Sequence, residues 1–339
     1  MMRAVTIVGG GLAGLSLGVA LSQRGIKVQV WEAGALPRHR VCGEFICGVE
    51  QQTLECLGVA SELSDALVHR RATWYDANGR KIFAGELPKK ALGLSRFALD
   101  LRLVEKIRRL GGEVLLGERW RGDATNEAVV VASGRTAERT PWMGFKLHIA
   151  GELPPDLTLF LGPGGYVGLC PVEGGQWNLC GLFRKRPEVR AGKEEILRSY
   201  AEAAGMGPVE EILSRCTVEG GSAAGVAGVS FSLPRGVATE LRLGDAWGVI
   251  PPFTGNGMSI AFESAELALN PIVRWFRGGF SWDEVVREVE QRHRKRFNQR
   301  FRVANLVHPL LMNPRSLGAL GYLSRARLLP FRWLFGLTR

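Results

Sequence analysis

With 339 residues, 46% of them hydrophobic, the chain is long enough to bury a substantial core and falls outside the disordered class. Its six cysteines (Cys42, Cys47, Cys56, Cys170, Cys180 and Cys216) show no C-x-x-C pair and no scaffold-like density, which excludes a zinc site and a secreted disulfide framework and points to reduced thiols in the cytoplasm. The formal charge of +11 is uneven: residues 281–339 carry twelve Lys/Arg against four Asp/Glu, a bias that suits nucleic acid, an anionic membrane surface or an acidic cofactor.

In chain order, residues 4–23 carry no charge and follow Arg3, the outline of a signal peptide or a spanning helix. Gly9, Gly10, Gly11, Gly14 and Gly18 argue against both, because they group as a turn followed by the small face of a helix. The periodicity predicts a buried strand over residues 4–8, a helix over 12–23 stopped by Gly25, and a second strand over 27–31. The turn of this βαβ unit, Gly9-Gly10-Gly11-Leu12-Ala13-Gly14, satisfies G-x-G-x-x-G. Gly9 permits the tight turn, Gly11 lets a pyrophosphate approach the backbone, and Gly14 lets the helix pack on the sheet. The free N–H groups of the helix start then face the phosphates. Glu32, followed by Ala33, ends the second strand where such a fold places an acid for the ribose hydroxyls. An acid there favours FAD or NAD over NADP; the alternative is a structural turn beside a solvated Glu32.

Residues 142–149, 164–172 and 177–183 alternate as sheet strands, the last two joined by a turn at Gly174-Gly175. Lys146, His148, Tyr166 and Asn178 are their few polar groups, which suits an apolar or aromatic small-molecule substrate held by one or two polar anchors. A lone histidine on a strand is more often packed or superficial than an acid or base, so no catalytic residue is assigned. Leu243-Gly244-Asp245-Ala246 precedes Pro251-Pro252-Phe253-Thr254-Gly255-Asn256-Gly257-Met258, and a helical run over 259–269 follows, with Thr254 or Asn256 available as its cap. After residue 281, helical stretches carry Arg292, Arg294, Lys295, Arg296, Arg300 and Arg302, and residues 328–335 mix apolar and basic side chains in the manner of an interfacial anchor. Peripheral contact with the inner membrane surface and a terminal helix with solvated arginines both fit; no nucleic-acid-binding module is recognisable.

The Gly9 cradle, the Asp245 segment and the turn at residues 255–258 together resemble the p-hydroxybenzoate hydroxylase and geranylgeranyl reductase superfamily of flavoproteins. Two softer segments, Arg38-His39-Arg40-Val41-Cys42-Gly43-Glu44-Phe45 and Ser95-Arg96-Phe97-Ala98-Leu99-Asp100-Leu101-Arg102-Leu103, resemble its geranylgeranyl-reductase-like group. The resemblance spans residues 4–270 and implies FAD. Asp245 would hold the ribityl chain, and Gly255, Asn256, Gly257 and Met258 would approach the ring, where a positive helix end stabilises reduced flavin. It implies Arg40 as a phosphate partner and Arg96 as a cofactor contact, with Cys42, Glu44 and Cys47 along the path to the ring. The implied α/β fold is a Rossmann-like FAD-binding domain with a central parallel sheet (1–75, 95–135, 236–280). A mainly antiparallel substrate sheet (76–94, 136–235) is interleaved with it, and a basic helical region (281–339) follows.

The implied activity is that of an FAD-dependent oxidoreductase, reducing a C=C bond by hydride transfer or hydroxylating with the help of O2, with NAD(P)H or another reductant as electron donor. Many hydroxylases carry an A-D-G segment where this chain has Val131-Ala132-Ser133-Gly134-Arg135, and the serine weakens the case for direct NAD(P)H reduction. No W-x-W-x-I-P motif marks a halogenase, which leaves halogenation, a flavin-binding protein without turnover and an NAD-binding module as alternatives.

Overall fold

The computed structural model describes residues 4–136, 138–233, 236–326, 328 and 330–339. Leu329, within the basic and apolar tail segment, lies outside them.

The opening residues form the expected strand Ala4–Val8, helix α1 (Leu12–Ser22) and strand Lys27–Glu32, with the two strands paired in parallel. Every residue of α1 is buried, as expected of a helix without a polar stripe, and Gly25, at φ +70°, closes it. Gly14 makes the packing possible: a Cβ there would lie 2.2 Å from the Gly9 carbonyl oxygen and 3.0 Å from Ile7. The five-stranded parallel sheet runs in the order Leu241–Arg242, Val129–Val131, Ala4–Val8, Lys27–Glu32, Glu113–Leu116.

Short helix α2 (Gln51–Cys56) and α3 (Arg96–Arg109) follow, the latter capped by the Ser95 hydroxyl, which accepts from the Ala98 N–H at 3.0 Å. The second sheet, nine-stranded among the described residues, runs Thr217–Val218, Trp142–Ala150, Gln176–Arg184, Gly165–Val172, Leu157–Gly162, Leu67–Asp76, Lys81–Gly93, Phe45–Cys47, with Ala224–Ala227 also on Trp142–Ala150. It is antiparallel except where Leu67–Asp76 meets Leu157–Gly162. This sheet reaches back into the stretch 1–75 that the sequence assigns wholly to the first domain. Leu67–Asp76 must pair with its hairpin partner Lys81–Gly93, and Phe45–Cys47 extends the same edge.

Helices α4 (Ile196–Ala203) and α5 (Gly207–Arg215) pack on this sheet around Tyr200, Phe145 and Phe183. The main core lies between the parallel sheet, α1, α3, α6 (Gly257–Phe276) and the start of α7 (Trp282–Leu311). A capping box between Ser281 and Glu284 starts α7, which is followed by α8 (Pro314–Arg325) and α9 (Phe331–Leu337). Among the described residues no helix is long and apolar enough to cross a membrane.

Two histidines of α7 make the fold sensitive to acid. Burial pushes the pKa values of His293 and His308 down to about 4, with His293 partly compensated by the Ser264 carbonyl. The unfolded chain, with ordinary imidazoles, therefore takes up protons first as pH falls. Stability is unaffected above about pH 7 and is lost between about pH 6.5 and about pH 4, by about 2 kcal/mol per histidine at pH 5. Urea midpoints measured at both ends of this window check it. His308→Phe, placed among Trp142, Phe231 and Phe253, is expected to reduce the pH dependence, and an unchanged dependence would refute the assignment.

Candidate functional site

A cavity of about 1250 Å3 runs from the Gly9 turn to the apolar face of the second sheet. That exceeds the roughly 300–1,000 Å3 of ordinary small-molecule sites and leaves room for a dinucleotide and a second molecule together. At one end its wall includes Gly9, Gly11, Leu12, Ala13, Glu32, Ala33, Arg40 and Arg96. Gly9, at φ +117°, brings the turn against the segment after Val129–Val131, so that a Cβ on it would fall 2.3 Å from the Ala132 carbonyl oxygen. Gly11 has no atom nearer than 3.7 Å to its own Cβ position and faces open cavity. Gly14 serves packing instead.

Glu32 is buried and receives four donors: Gly10 N–H at 3.0 Å, Gly34 N–H at 2.9 Å, Arg38 at 3.0 Å and Arg40 at 3.3 Å. Since a carboxylate offers about four lone-pair sites, a ribose hydroxyl would replace one of the arginines, most readily the more exposed Arg38. Arg40 also donates to Asp100 at 3.1 Å, and Arg96 grips the same carboxylate with two bonds of 2.8 Å. Asp100 is fully buried between them, whereas Arg102 pairs with the exposed Asp65 at the surface. Arg38, Arg40 and Arg96 against the two carboxylates of Glu32 and Asp100 leave positive charge at the cavity wall.

At the middle of the cavity stand Asp245, Gly255, Gly257, Met258 and the segment Ala132, Ser133, Gly134, Arg135. The Asp245 side chain opens to the cavity but is enclosed by the molecule. Loss of bulk solvent pushes its carboxyl pKa above the ordinary value, opposed by Arg96 and Arg135. Gly257 begins α6, and nothing lies within 4 Å of its Cβ position, so the N-terminal end of a twenty-residue helix faces free space. Asn256 occupies the N-cap position without capping: its Nδ2 donates to the Thr338 carbonyl at 2.6 Å, and its Oδ1 is buried without a partner.

The substrate-pocket candidates separate into two groups. Cys42 and Tyr166 line the cavity. Burial pushes both up, the Cys42 thiol and the Tyr166 phenol, so neither is poised to ionise. Glu44, Cys47, Lys146, His148 and Asn178 instead lie behind the wall. The Glu44 carboxylate is 3.0 Å from Lys146 Nζ and 2.6 Å from His148 Nε2, while His148 Nδ1 is 3.2 Å from Glu219. Burial pushes the Glu44 pKa up, but the His148 hydrogen bond and the Lys146 charge prevail and hold it below the usual range. Glu44 also accepts from the Arg96 N–H at 3.0 Å, and Asn178 Nδ2 donates to the Cys42 carbonyl at 2.8 Å. These residues clamp the 38–45 loop, which carries Arg40 and Cys42, to the strands Trp142–Ala150 and Gln176–Arg184. Cys47 is buried, and its carbonyl accepts from Ser259 on α6 at 2.7 Å. Alternation alone places such residues on a strand face but cannot distinguish a face toward a cavity from one packed on a loop.

The far end is apolar, with Trp74, Ile82, Leu159, Phe231, Val307 and Phe331 among its lining. Residues from the chain end, Phe335, Thr338 and Arg339, also reach the cavity, and Arg339 donates to the Thr254 carbonyl at 2.6 Å. These contacts had no sequence signal beyond the mixed character of the tail.

Comparison with known proteins agrees with this geometry. The family model of an NAD(P)-binding Rossmann-like domain matches residues 7–42. Conditioned medium factor receptor 1 of Dictyostelium discoideum is 28% identical over 123 residues, 32% of this chain and 24% of that protein. Monooxygenase 1 of Arabidopsis thaliana is 35% identical over 79 residues, 23% of this chain and 20% of that protein. The chain thus matches about a quarter or less of the length of these relatives. Among solved structures, Klebsiella pneumoniae HpxO complexed with FAD and uric acid superposes with a TM-score of 0.76 at 18% identity, covering 99% of this chain and 96% of that one. PqsL of Pseudomonas aeruginosa, described as a probable FAD-dependent monooxygenase, gives 0.70 at 18% identity over 94% and 98%. The flavin-dependent brominase Bmp2 gives 0.74 at 19% over 98% and 93%. The chain has the fold of these flavin-dependent enzymes from end to end.

Proposed function

We propose that the chain is an FAD-dependent oxidoreductase that hydroxylates an apolar or aromatic small molecule. The observation that carries the reading is a continuous cavity, with a dinucleotide cradle at one end and a largely apolar chamber, reached by Arg339, at the other. FAD, when bound, supplies hydride exchange and activation of O2. The rest falls to the chain. The open backbone at Gly11 and the charge of Arg40 and Arg96 hold the pyrophosphate, and Glu32 takes the ribose hydroxyls in exchange for Arg38. Asp245 fastens the ribityl chain. The positive end of α6, at Gly257 and Met258, stabilises negative charge on the ring system. Trp74, Leu159 and Phe231 exclude water and shape the chamber for a substrate. All six cysteines are free, in keeping with a cytoplasmic enzyme.

Hydroxylation is favoured by the shared fold of the monooxygenases. A second reading, C=C reduction in a long apolar chain, is favoured by the Cys42-Gly43-Glu44 loop and by Ser133, where an acid would meet a nicotinamide. Either NAD(P)H or another reductant supplies the electrons. Turnover under isotopically labelled dioxygen separates the two: hydroxylation predicts a product carrying the label, and reduction predicts a hydrogenated product formed without O2.

Asp245→Ala is expected to keep the fold, since its side chain fills no packed core, and to weaken flavin retention by roughly 10- to 100-fold, the worth of one hydrogen bond to a charged group. Fluorescence titration of the apo-protein with FAD measures this. Unchanged affinity would remove Asp245 from the cofactor site.

A further inference from the structure

The last three helices present an outer surface that the cavity does not use. On α7, Arg302, Leu306 and Leu310 recur every four residues and share one exposed face, about 100° round from Val303, Val307 and Leu311, which wall the cavity. On α8, Arg315, Tyr322 and Arg325 lie seven and three residues apart on one exposed face, and α9 exposes Arg332 and Trp333. Leu306, Leu310, Tyr322, Leu328 and Trp333 leave 47–73% of their surface open, where buried partners would be expected of such side chains. Acids accompany the arginines at the start of α7, Glu288 with Arg292 and Glu290 with Arg294, but none occurs after Glu290, while residues 291–339 hold eleven Lys/Arg.

Exposed large apolar side chains beside guanidinium groups, repeated from the later turns of α7 through α9 in a stretch of chain that holds no acid, match the interface of an anionic bilayer. There the apolar side chains enter the headgroup boundary and each arginine gains from the negative surface potential. A second copy of this chain would bring like charges together on the same face. We propose that the end of α7, α8 and α9 dock the protein on an anionic lipid surface, with the apolar chamber on the inner side of the same helices. This stands apart from the flavin reading, because docking is measured without turnover.

The test is sedimentation of the full chain with vesicles of phosphatidylcholine alone and of phosphatidylcholine mixed with phosphatidylglycerol. The protein is expected to pellet with the anionic vesicles and to remain in solution with the neutral ones, and added salt should release it. The triple variant Arg315→Gln, Arg325→Gln, Arg332→Gln is expected to bind anionic vesicles more weakly, by on the order of fivefold for each arginine removed, with an unchanged melting temperature. Trp333→Ser should weaken binding further. Equal pelleting with both vesicle types, no pelleting with either, or a triple variant that binds like the parent would each overturn the proposal. So would a dimer in solution that the triple variant abolishes while vesicles are ignored.

Discussion

Alanine at Gly9 is expected to yield little folded protein, and alanine at Gly11, two residues on, to yield a folded protein that has lost its cofactor. The added methyl at Gly9 would sit 2.3 Å from the Ala132 carbonyl oxygen and 2.6 Å from the Ser133 Cα, both backbone atoms that no rotamer change can move aside. It would also have to be carried at φ +117°, where an L side chain is strained. Overpacking of about 1–3 kcal/mol and backbone strain of about 1–3 kcal/mol together approach the whole stability of a marginal fold. Gly11 differs. Its φ of −87° suits any residue, and its Cβ direction meets open cavity, so Gly11→Ala costs the apo-protein little. The methyl would stand where the pyrophosphate must approach the N–H groups of α1. Circular dichroism, thermal melting and flavin content of the two variants would separate the effects. Equal flavin content in Gly11→Ala and the parent would place the phosphates elsewhere.

Glu44→Gln is expected to destabilise the fold by about 3–5 kcal/mol, because it leaves the ammonium of Lys146 buried without its counter-charge. Adding Lys146→Met removes the orphaned charge, and the double variant should recover much of the loss. Lys146→Met alone should cost less, since Glu44 keeps His148 at 2.6 Å. The same lesion should loosen the 38–45 loop and with it Arg40, lowering flavin affinity along with stability. Denaturant midpoints of the three variants form the cycle. Equal stability of Glu44→Gln and the parent would show that the cluster does not hold the loop.

The βαβ unit was legible because it is local: strand, Gly-rich turn, helix and acid follow within thirty residues, and each residue type has a single physical use. The segment with Asp245 and the stretch before α6 are legible as a turn leading into a helix, while a flavin role for Asp245 rests on the resemblance. The limits lay in contacts distant along the chain. Lys146 and His148 read as pocket residues, but they meet Glu44 across a hundred residues and serve the loop. Asp100 lies four residues from Arg96 on one helix, which the sequence shows, but its second partner, Arg40, sixty residues earlier, reaches it only in the fold. Residues 67–75 fall in the first domain on sequence grounds because nothing within their own sequence tells which sheet their hairpin joins. The chain end, with Thr338 bonded to Asn256 and Arg339 to Thr254, carries no motif at all.

On the proposed function, one FAD occupies the cavity between the Gly9 turn and the start of α6. Its most direct test is the flavin released on denaturing the purified, folded full-length protein, identified by mass and counted per chain. One FAD per chain is expected, or one after reconstitution, with the mononucleotide failing to substitute because it lacks the half that Glu32 and the Gly9 turn would hold. A folded, colourless protein that takes up no FAD on reconstitution would contradict it.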